Sequence, residues 1–409
     1  GVRLPYAVSL RHGPLQGGAA RASRRRRRVS PPCCVPPRGG IVSHPVAVLG
    51  AGHSGFGLAG DLALKGHAVH LFEHPDFTEV LDPVREAGGI AVRGVTGEGF
   101  ASPARVTTSA RDAVEGARVL FLVVPAYAHE AMAKIVAPHL DEGHIVVLMP
   151  GNAGGALAFR EAVQDHGGPD VRVAEASSFI FACKKDGPAG VWIRGIKQGL
   201  PVGVFPSVGT DEVVDEIRRF VPWIAPAQDV LHTSLGNANH IAHPPALLLN
   251  VARIEAVGSD FSFFHEGMTR AVARLTEVLD EERMLVVDAL GYERESTLEQ
   301  LTRFYGDQGF GGRDYYEAVH TTPVHGAARA PATLDHRYFT EDVPFGLVPI
   351  VDLADTLDVP TPVLRGLVDV IGAVTGVDHW SSGRRIAHLG LVGMDASEMR
   401  AYVRTGLRP

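Results

Sequence analysis

The sequence predicts an α/β domain followed by an all-helical domain. From about residue 45 to about residue 230, short β-rich runs alternate with helical stretches, and beyond that point apolar residues recur at helical spacing. The 409 residues are 45% hydrophobic and 21% charged, a composition typical of a globular protein with two or three domains. We therefore predict folded domains at residues 44–230 and 231–409.

Residues 1–43 differ in composition from the rest of the chain. They contain nine arginines, five of them consecutive at residues 24–28, and no acidic residue. Because such a run repels itself, we expect a disordered basic tail. A transit peptide and a nucleic-acid-binding arm are alternatives to the interpretation that we favour, an extension without a folded role.

The remainder of the chain is acidic. The whole chain has a net charge of −7, and residues 44–409 alone hold 30 basic and 46 acidic residues, or −16. This charge argues against nucleic acid as the main partner. No run approaches 18 apolar residues, so we expect no membrane partner. Three cysteines cannot form a disulfide framework, which favours a reduced, cytoplasmic setting.

The first predicted strand, residues 46–49, leads into a glycine-rich turn, GAGHSG at residues 50–55. A helical pattern follows at residues 56–65, and a second strand at residues 67–72 ends in an acidic residue. This context predicts a Rossmann-type dinucleotide-binding domain. A glycine turn without a ligand is the alternative.

Each residue of the turn has an expected task. Gly50 allows the tight turn, Gly52 lets the backbone approach a pyrophosphate, and Gly55 allows the helix to pack against the strand. The N–H groups of His53 and Ser54 are then available to the phosphate at the positive end of the helix dipole.

The acidic residue at the end of the second strand bears on the choice of cofactor. Glu73 lies 21 positions beyond Gly52, where it would accept hydrogen bonds from both adenosine ribose hydroxyls. Its charge would repel a 2′-phosphate, so NAD(H) is favoured over NADP(H). A cationic His74 would soften this preference.

Two later strands end in loops of the same domain. Residues 119–124 precede Pro125, and residues 145–149 precede a loop that contains Asn152. Ligands bind at the carboxyl ends of strands in open α/β sheets. We therefore expect Pro125 and Asn152 to border the nicotinamide, with ordinary βα turns as the alternative.

The second half contains three predicted helices. Residues 269–290 have apolar side chains at helical spacing, and Gly291 is the expected stop. Residues 343–357 and 363–374 show a helical pattern as well, separated by two prolines.

Residues 235–250 place two histidines and three asparagines in an otherwise apolar stretch. Burying these groups is costly unless each is paired or used, so His240 and His243 are either satisfied core residues or functional ones. Pro244 and Pro245 suggest that a helix starts at His243, where the dipole would lower its pKa and keep the ring neutral.

A second polar cluster, residues 335–344, precedes an apolar helix. Thr340 or Asp342 could simply cap that helix, with Pro344 in its first turn. Spacing alone leaves open whether Asp342 meets His243, which lies 99 residues earlier.

No metal site is predicted, because neither His129-Glu130 nor His265-Glu266 has the second histidine of an HExxH helix. Cys183, between apolar neighbours, is expected to be a structural or pocket-wall thiol rather than a nucleophile.

Taken together, these motifs make the chain similar to the octopine/nopaline dehydrogenase family, the opine dehydrogenases, over residues 45–395. Besides the GAGHSG turn, the resemblance is carried by PGNAGG at 150–155, AEASSF at 174–179, NANHIAHPPALLLN at 237–250, FFHEGMT at 263–269 and HRYFTEDVPFGL at 336–347. It implies a Rossmann-type domain followed by a helical domain like the C-terminal domain of 6-phosphogluconate dehydrogenase.

The resemblance also implies the activity. In this family NAD(P)H reduces the imine formed from an α-amino acid and an α-keto acid, and a His–Asp pair assists. The pair maps onto His243, which directly precedes proline, and Asp342; His240 fits less well. Arg337 resembles the arginine that reaches the cofactor pyrophosphate when the domains close.

The resemblance extends to the substrates. Glu175 resembles an acidic residue near the amino-acid substrate, and Cys183 and Asn239 complete the candidate substrate-binding residues. Substrates that carry carboxylates need local cations in an acidic protein, and Arg194 and Lys197 are candidates beside Arg337. We expect a monomer or a homodimer.

Two other functions compete. A relative of glycerol-3-phosphate or ketopantoate reductase would share the architecture, but such enzymes rely on a lysine that residues 235–251 lack. A dinucleotide-binding sensor without turnover would keep the glycine turn and would not need the His–Asp pair.

Overall fold

The structure, a computed structural model, describes residues 44–322, 326 and 328–409. The predicted disordered tail, residues 1–43, lies outside the described residues. The described residues belong to one compact unit. Within it, strands give way to helices after the strand Ile224–Pro226, so the domain boundary at residue 230 agrees with the change of element type but stays a prediction.

The strands lie in the first half of the described chain. They are β1 (Val46–Leu49), β2 (Val69–Phe72), β3 (Ile90–Gly94), β4 (Gly99–Ala101), β5 (Arg105–Thr107), β6 (Val119–Leu122), β7 (Ile145–Leu148), β8 (Arg172–Ala176), β9 (Phe181–Lys185), β10 (Gly190–Ile196), β11 (Leu200–Phe205) and β12 (Ile224–Pro226).

The helices alternate with these strands up to β12, and the described elements after β12 are all helical. They are α1 (His53–Leu64), α2 (Asp82–Ala87), α3 (Ala110–Val114), α4 (His129–Val136), α5 (Gly155–Asp165), α6 (Thr210–Arg218), α7 (Val230–Leu235), α8 (Ala238–Leu248), α9 (Val251–Val257), α10 (Arg270–Ala289), α11 (Thr297–Tyr305), α12 (Tyr315–Thr321), α13 (Arg337–Thr340), α14 (Val348–Thr356), α15 (Pro362–Thr375), α16 (His379–Ser382) and α17 (Ala396–Thr405).

The main sheet has the order β12-β11-β8-β7-β6-β1-β2-β5. Its strands run parallel except between β8 and β11. β1 pairs with β2 on one side and with β6 on the other, so the strand order reverses there. β1, β6 and β7 are wholly buried, as expected for strands covered on both faces. The loops after these strands therefore open at one edge, where ligands bind in such sheets.

A smaller sheet, of order β4-β3-β10-β9, packs against α1. The contact is close because two glycines of α1 leave room for it: a Cβ at Gly57 would lie 2.9 Å from Cys183 Sγ, and one at Gly60 would lie 2.8 Å from Val92 Cγ2. This packing holds the hairpin of β9 and β10 beside the start of α1.

Most predicted elements are confirmed, with shifted ends. α1 begins at His53 rather than Phe56 and ends before Gly66, whose φ is +88°. α10 has Thr269 as its N-cap and is followed by Gly291 at φ +72°, as predicted. Residues 343–347 form a π-helical turn rather than the start of an α-helix, and α14 follows it.

No helix among the described residues is long and apolar enough to span a membrane.

Candidate active site

The glycine turn after β1 is open at one position only. A Cβ at Gly50, which has φ +110°, would lie 2.6 Å from Val123 O, and one at Gly55 would lie 1.8 Å from Gly50 O. A Cβ at Gly52, by contrast, would have no heavy atom within 4 Å. The open space therefore lies where the sequence predicts the pyrophosphate, and the turn fits a dinucleotide.

The start of α1 adds polar groups to this space. Gly52 is its N-cap in extended conformation, without a side-chain cap, so the first N–H groups, those of His53 and Ser54, have no intrahelical acceptor. Burial lowers the pKa of His53, and the positive charges of Lys185, Lys184 and Arg337 lower it further. These cations border the predicted phosphate site.

Glu73 lies at the end of β2, as predicted for a residue that contacts the ribose. Its Oε2 accepts a hydrogen bond from Ala51 N at 2.7 Å, and its Oε1 accepts one from His74 N at 2.8 Å. The half-buried carboxylate is thereby held beside the glycine turn.

His243 and Asp342 are brought together. Nδ1 of His243 lies 2.8 Å from Oδ2 of Asp342, whose side chain is 1% exposed. Since a carboxylate can only accept, Nδ1 carries the hydrogen, and Nε2 keeps its lone pair. The ring of Tyr338 stacks on the imidazole with centroids 3.9 Å apart, which fixes the ring plane.

Burial decides the charge of this pair. It lowers the pKa of His243 to about 3, helped by the positive charge of Arg337, and it raises the pKa of Asp342 to about 6. At neutral pH the imidazole is therefore uncharged and oriented by an ionised carboxylate. This is the state of a base that can accept a proton at Nε2.

The predicted start of a helix at His243 is wrong. α8 begins at Ala238 with Asn237 as its N-cap, so His243 lies in the middle of the helix and both following prolines lie inside it. The neutral state of His243 thus comes from burial rather than from a helix N-terminus.

The alternative of a plain helix cap at Asp342 is also wrong. Asp342 occupies the N-cap position of the π-helical turn, but its side chain makes no cap bond. Oδ2 meets His243 instead, and Oδ1 is buried without a hydrogen-bond partner among the described residues.

Glu341 links the loops around the site, and the sequence analysis assigned it no role. It is 1% exposed; its Oε1 accepts from Ala126 N at 3.0 Å and from Asn152 Nδ2 at 2.8 Å. Arg337 donates to its Oε2 from Nε at 2.9 Å and from Nη2 at 2.8 Å. One carboxylate therefore joins the loops after β6 and β7 to α13.

This network brings Pro125, Asn152 and Arg337 to one area. Pro125 directly precedes Ala126, whose N–H donates to Glu341. Arg337 is 46% exposed, and its positive charge lowers the pKa of both His53 and His243. The charge of Arg337 thus reaches both the glycine turn and the His–Asp pair, which suits its predicted contact with a pyrophosphate.

His240 is a core histidine that is hydrogen-bonded through Nε2, while its Nδ1 is buried without a partner among the described residues. It is fully buried, and its Nε2 lies 2.9 Å from Asn152 Oδ1, which also accepts from Asn237 Nδ2 at 2.8 Å. Burial lowers its pKa to about 4. Of the two histidines, His243 is the one whose side chain retains exposure, at 12%.

The three candidate substrate-binding residues belong to three different elements, β8, β9 and α8. Glu175 is wholly buried on β8 and accepts from Ala156 N at 2.8 Å and from Ser234 Oγ at 2.8 Å; burial raises its pKa to about 7. The thiol of Cys183 lies 3.4 Å from the carbonyl of His53, and burial raises its pKa to about 12.

Asn239 lies closer to the reactive pair. It is half-buried on α8, one turn before His243 and so on the same face of the helix. Its side chain makes no hydrogen bond to any described residue. Substrate contact at Asn239, Cys183 and Glu175 stays a prediction.

Two further residues at the site were missed as functional ones, Asn237 and Tyr338. Both lie in the polar segments that the sequence marked, residues 235–250 and 335–344. Polar residues among apolar neighbours therefore marked both segments, but the sequence pattern does not show which distant residues these side chains contact.

Comparison with known families gives two matches. Residues 226–375 match the family described as "NAD/NADP octopine/nopaline dehydrogenase, alpha-helical domain". Residues 46–207 match the family described as "Ketopantoate reductase PanE/ApbA". The chain is 34% identical to an opine dehydrogenase of Arthrobacter sp. (strain 1C) over 363 residues, which cover 89% of this chain and 99% of the relative.

Solved structures with the same fold include two opine-forming enzymes. An octopine dehydrogenase with NADH and L-arginine has a TM-score of 0.70 at 20% identity and covers 90% of this chain and 99% of its own. A yersinopine dehydrogenase with bound NADP+ has a TM-score of 0.65 at 18% identity, with 88% and 98% covered. At these identities the likeness concerns the fold alone.

Proposed function

Because this chain belongs to the opine dehydrogenase family, it is an NAD(P)-dependent oxidoreductase that acts on CH–NH donors, and we propose that His243 and Asp342 assist its chemistry. The reaction is an opine-type reductive condensation. An amino group adds to the carbonyl carbon of an α-keto acid, water leaves to form an imine, and reduction of the imine gives a secondary amine. The observation that carries the proposal is the 2.8 Å hydrogen bond between His243 and buried Asp342.

His243 transfers the protons of these steps. When the amine adds, its nitrogen loses a proton and the carbonyl oxygen gains one. The resulting hydroxyl gains a second proton and leaves as water, while the nitrogen loses its other proton to form the imine. An imidazole held by Asp342 at Nδ1 can donate and accept protons at Nε2, an effect worth about 10²–10⁴-fold in rate. Asp342 is a positioning residue that stabilises the imidazolium formed in between.

The glycine turn would hold the cofactor. Gly50, Gly52 and Gly55 shape its space, the N–H groups of His53 and Ser54 would meet the diphosphate, and Pro125 would border the nicotinamide; Arg337 would reach the diphosphate from α13. When bound, the reduced nicotinamide supplies the hydride that reduces the imine carbon.

NAD(H) is the preferred cofactor in this proposal. The argument is the Glu73 carboxylate beside the turn, because it would accept from ribose hydroxyls and repel a 2′-phosphate. Lys185 lies close enough for its charge and that of Glu73 to interact, which moderates the repulsion.

The substrates are an α-amino acid and an α-keto acid. Octopine dehydrogenase has been solved with L-arginine and with pyruvate, and these two compounds are therefore the first to test. Asn239, beside His243 on α8, Glu175 and Cys183 remain the proposed substrate contacts.

The test is NADH oxidation at 340 nm by the purified protein. Pyruvate, 2-oxoglutarate and oxaloacetate are each combined with a panel of amino acids that includes arginine, with NADPH in parallel. Oxidation that requires both an amine and a keto acid is the expected result. Oxidation with a keto acid alone would contradict the condensation.

That contrary result defines the second candidate, a ketopantoate-type reductase. It is favoured by the match of residues 46–207 to the ketopantoate reductase family. It is disfavoured by α8, which carries His243 and no lysine.

We further propose that the enzyme acts in a reduced, cytoplasmic compartment as a monomer or homodimer. The first part rests on the few cysteines of the chain, of which Cys183 is free. Light scattering on the same preparation gives the oligomeric state.

A further inference from the structure

The hairpin of β9 and β10 is unusually cationic for this acidic chain. Its one acidic residue, Asp186, is paired with Arg93 of β3 at 2.5 Å. Within residues 181–197 the basic side chains form no ion pair with any described carboxylate. These side chains are Lys184, Lys185, Arg194 and Lys197.

Arg194 occupies an irregular position in this hairpin. In the antiparallel pairing Ile193 lies opposite Cys183, and Gly195 lies opposite the neighbouring residue Ala182. Arg194 is therefore the extra residue of a β-bulge. Bulges of this kind redirect a side chain out of the regular alternation and are common beside active sites.

The guanidinium of Arg194 is incompletely satisfied. Its Nε is buried and has no hydrogen-bond partner among the described residues, and the guanidinium carbon lies 5.8 Å from the centroid of Trp192. Leaving a buried donor of a charged group unpaired is costly. An anionic acceptor from outside the chain would remove this cost.

The charges of Arg194 and Lys197 act on residues of the site around the His–Asp pair. Burial raises the pKa of Tyr338 to about 12, and the charge of Arg194 is among those that oppose the rise; Tyr338 stacks on His243. Lys197 donates to Phe179 O at 2.7 Å and is close enough to His243 to lower its pKa. The charge of Arg194 thus reaches Tyr338, and the charge of Lys197 reaches His243.

We propose that Arg194, directed by the bulge of β10, binds a carboxylate of the substrate, with Lys197 as the neighbouring cation. A planar guanidinium can bind a carboxylate through two parallel hydrogen bonds, which fixes the orientation of an acid as well as its affinity. Since each substrate has an α-carboxylate, the site selects acids over their esters. This inference rests on the proposed function.

The test compares two arginines whose guanidinium carbons both lie over the ring of Trp192, at 5.8 Å for Arg194 and 4.4 Å for Arg93. Arg194→Gln is the test variant. Arg93→Gln is the control, because Arg93 lies 4.4 Å from the same ring but is already paired with Asp186. The KM values for pyruvate and arginine, or for the pair that replaces them in the screen, are measured with the acids and with their methyl esters.

In Arg194→Gln we expect the KM of one acid to rise by about 10- to 100-fold, the cost of a charged hydrogen bond, with a smaller change in kcat. The preference for that acid over its ester should disappear, whereas Arg93→Gln should keep it. Which substrate is affected identifies the carboxylate. Arg194→Lys keeps the positive charge but lacks the planar guanidinium, so its KM should lie between those of the wild type and Arg194→Gln.

An Arg194→Gln enzyme that binds NADH normally and keeps both KM values and the preference for the acids would overturn the inference. If Arg194→Gln does not fold, unchanged KM values in Arg194→Lys would do the same. A wild-type enzyme that oxidises NADH with the keto acid alone would refute the proposed function instead, so the two failures are distinguishable.

Discussion

Asp342 accepts a hydrogen bond from His243 through one carboxylate oxygen while its other oxygen is buried and unpartnered among the described residues. A buried carboxylate is unfavourable unless its charge is used. Here the negative charge of Asp342 orients the imidazole of His243 and would stabilise the imidazolium when His243 is protonated. The unfavourable free energy of burying a charge thus falls on Asp342, the residue whose negative charge the reaction needs.

His243→Gln should lower kcat by about 10²–10⁴-fold, because Gln cannot exchange protons at the position of Nε2. NADH binding and the free energy of unfolding should change little, since the side chain of His243 retains 12% exposure. Steady-state kinetics, NADH fluorescence titration and urea unfolding check this.

The matched variant is His240→Ala, on the same helix but in the core. Because His240 is fully buried and bonded to Asn152, its loss should cost about 2–4 kcal/mol of unfolding free energy. If His243→Gln were instead the destabilising variant, His243 would have a structural role.

Activity in the direction of amine oxidation should rise with pH and level off above about 6. In that direction His243 accepts the proton, and it needs an ionised Asp342, whose pKa burial raises to about 6. Below that pH the carboxylate is protonated and the orientation of the ring is lost. The profile of log kcat/KM against pH from 4.5 to 9 measures this.

Asp342→Asn provides the control for the pH profile. It should be slower throughout and lack the rise near pH 6, since the amide does not titrate there. A rise that persists in Asp342→Asn would belong to another group, and Glu175, with a pKa raised to about 7 by burial, would be the next to replace.

Glu341→Gln should destabilise the protein by about 1–3 kcal/mol, because an amide group replaces one of two accepting oxygens and leaves a buried donor unpaired. kcat/KM should fall as well, since the loops after β6 and β7 lose their common anchor. Chemical unfolding and kinetics measure both effects.

Glu317→Gln is the surface counterpart of that variant. Glu317 pairs with Arg313 at the same four-residue spacing as Glu341 with Arg337, but Arg313 is 89% exposed. Its loss should leave the free energy of unfolding nearly unchanged, because solvent screens an exposed ion pair. Equal effects of the two variants would mean that burial of Glu341 contributes nothing.

Glu73→Ala should narrow the preference for NADH over NADPH by about 10-fold or more, because it removes both the ribose contact and the repulsion of a 2′-phosphate. The ratio of kcat/KM values for the two cofactors measures it. A wild-type enzyme that prefers NADPH would show that Lys185, which interacts with Glu73, outweighs the carboxylate.

Most of the fold could be predicted from residues that are close together in the sequence. The glycine turn between strand and helix and the Gly291 stop depend on residues close in sequence, and both were confirmed. The start of α8 was misjudged because Pro244 and Pro245 usually mark the first turn of a helix, whereas packing tolerates them in the middle of this one.

Patterns of neighbouring residues were thus enough to predict the dinucleotide-binding unit, the helical second half and the residue types available for proton transfer. The contact of His243 with Asp342, and the link that Glu341 makes between Ala126 and Asn152, depend on tertiary packing, since these residues lie 99 to 215 positions from one another in the chain. The reason is physical. Hydrophobic period and turn chemistry act over a few residues, but a hydrogen bond between distant residues exists only where the packed chain brings donor and acceptor within about 3 Å.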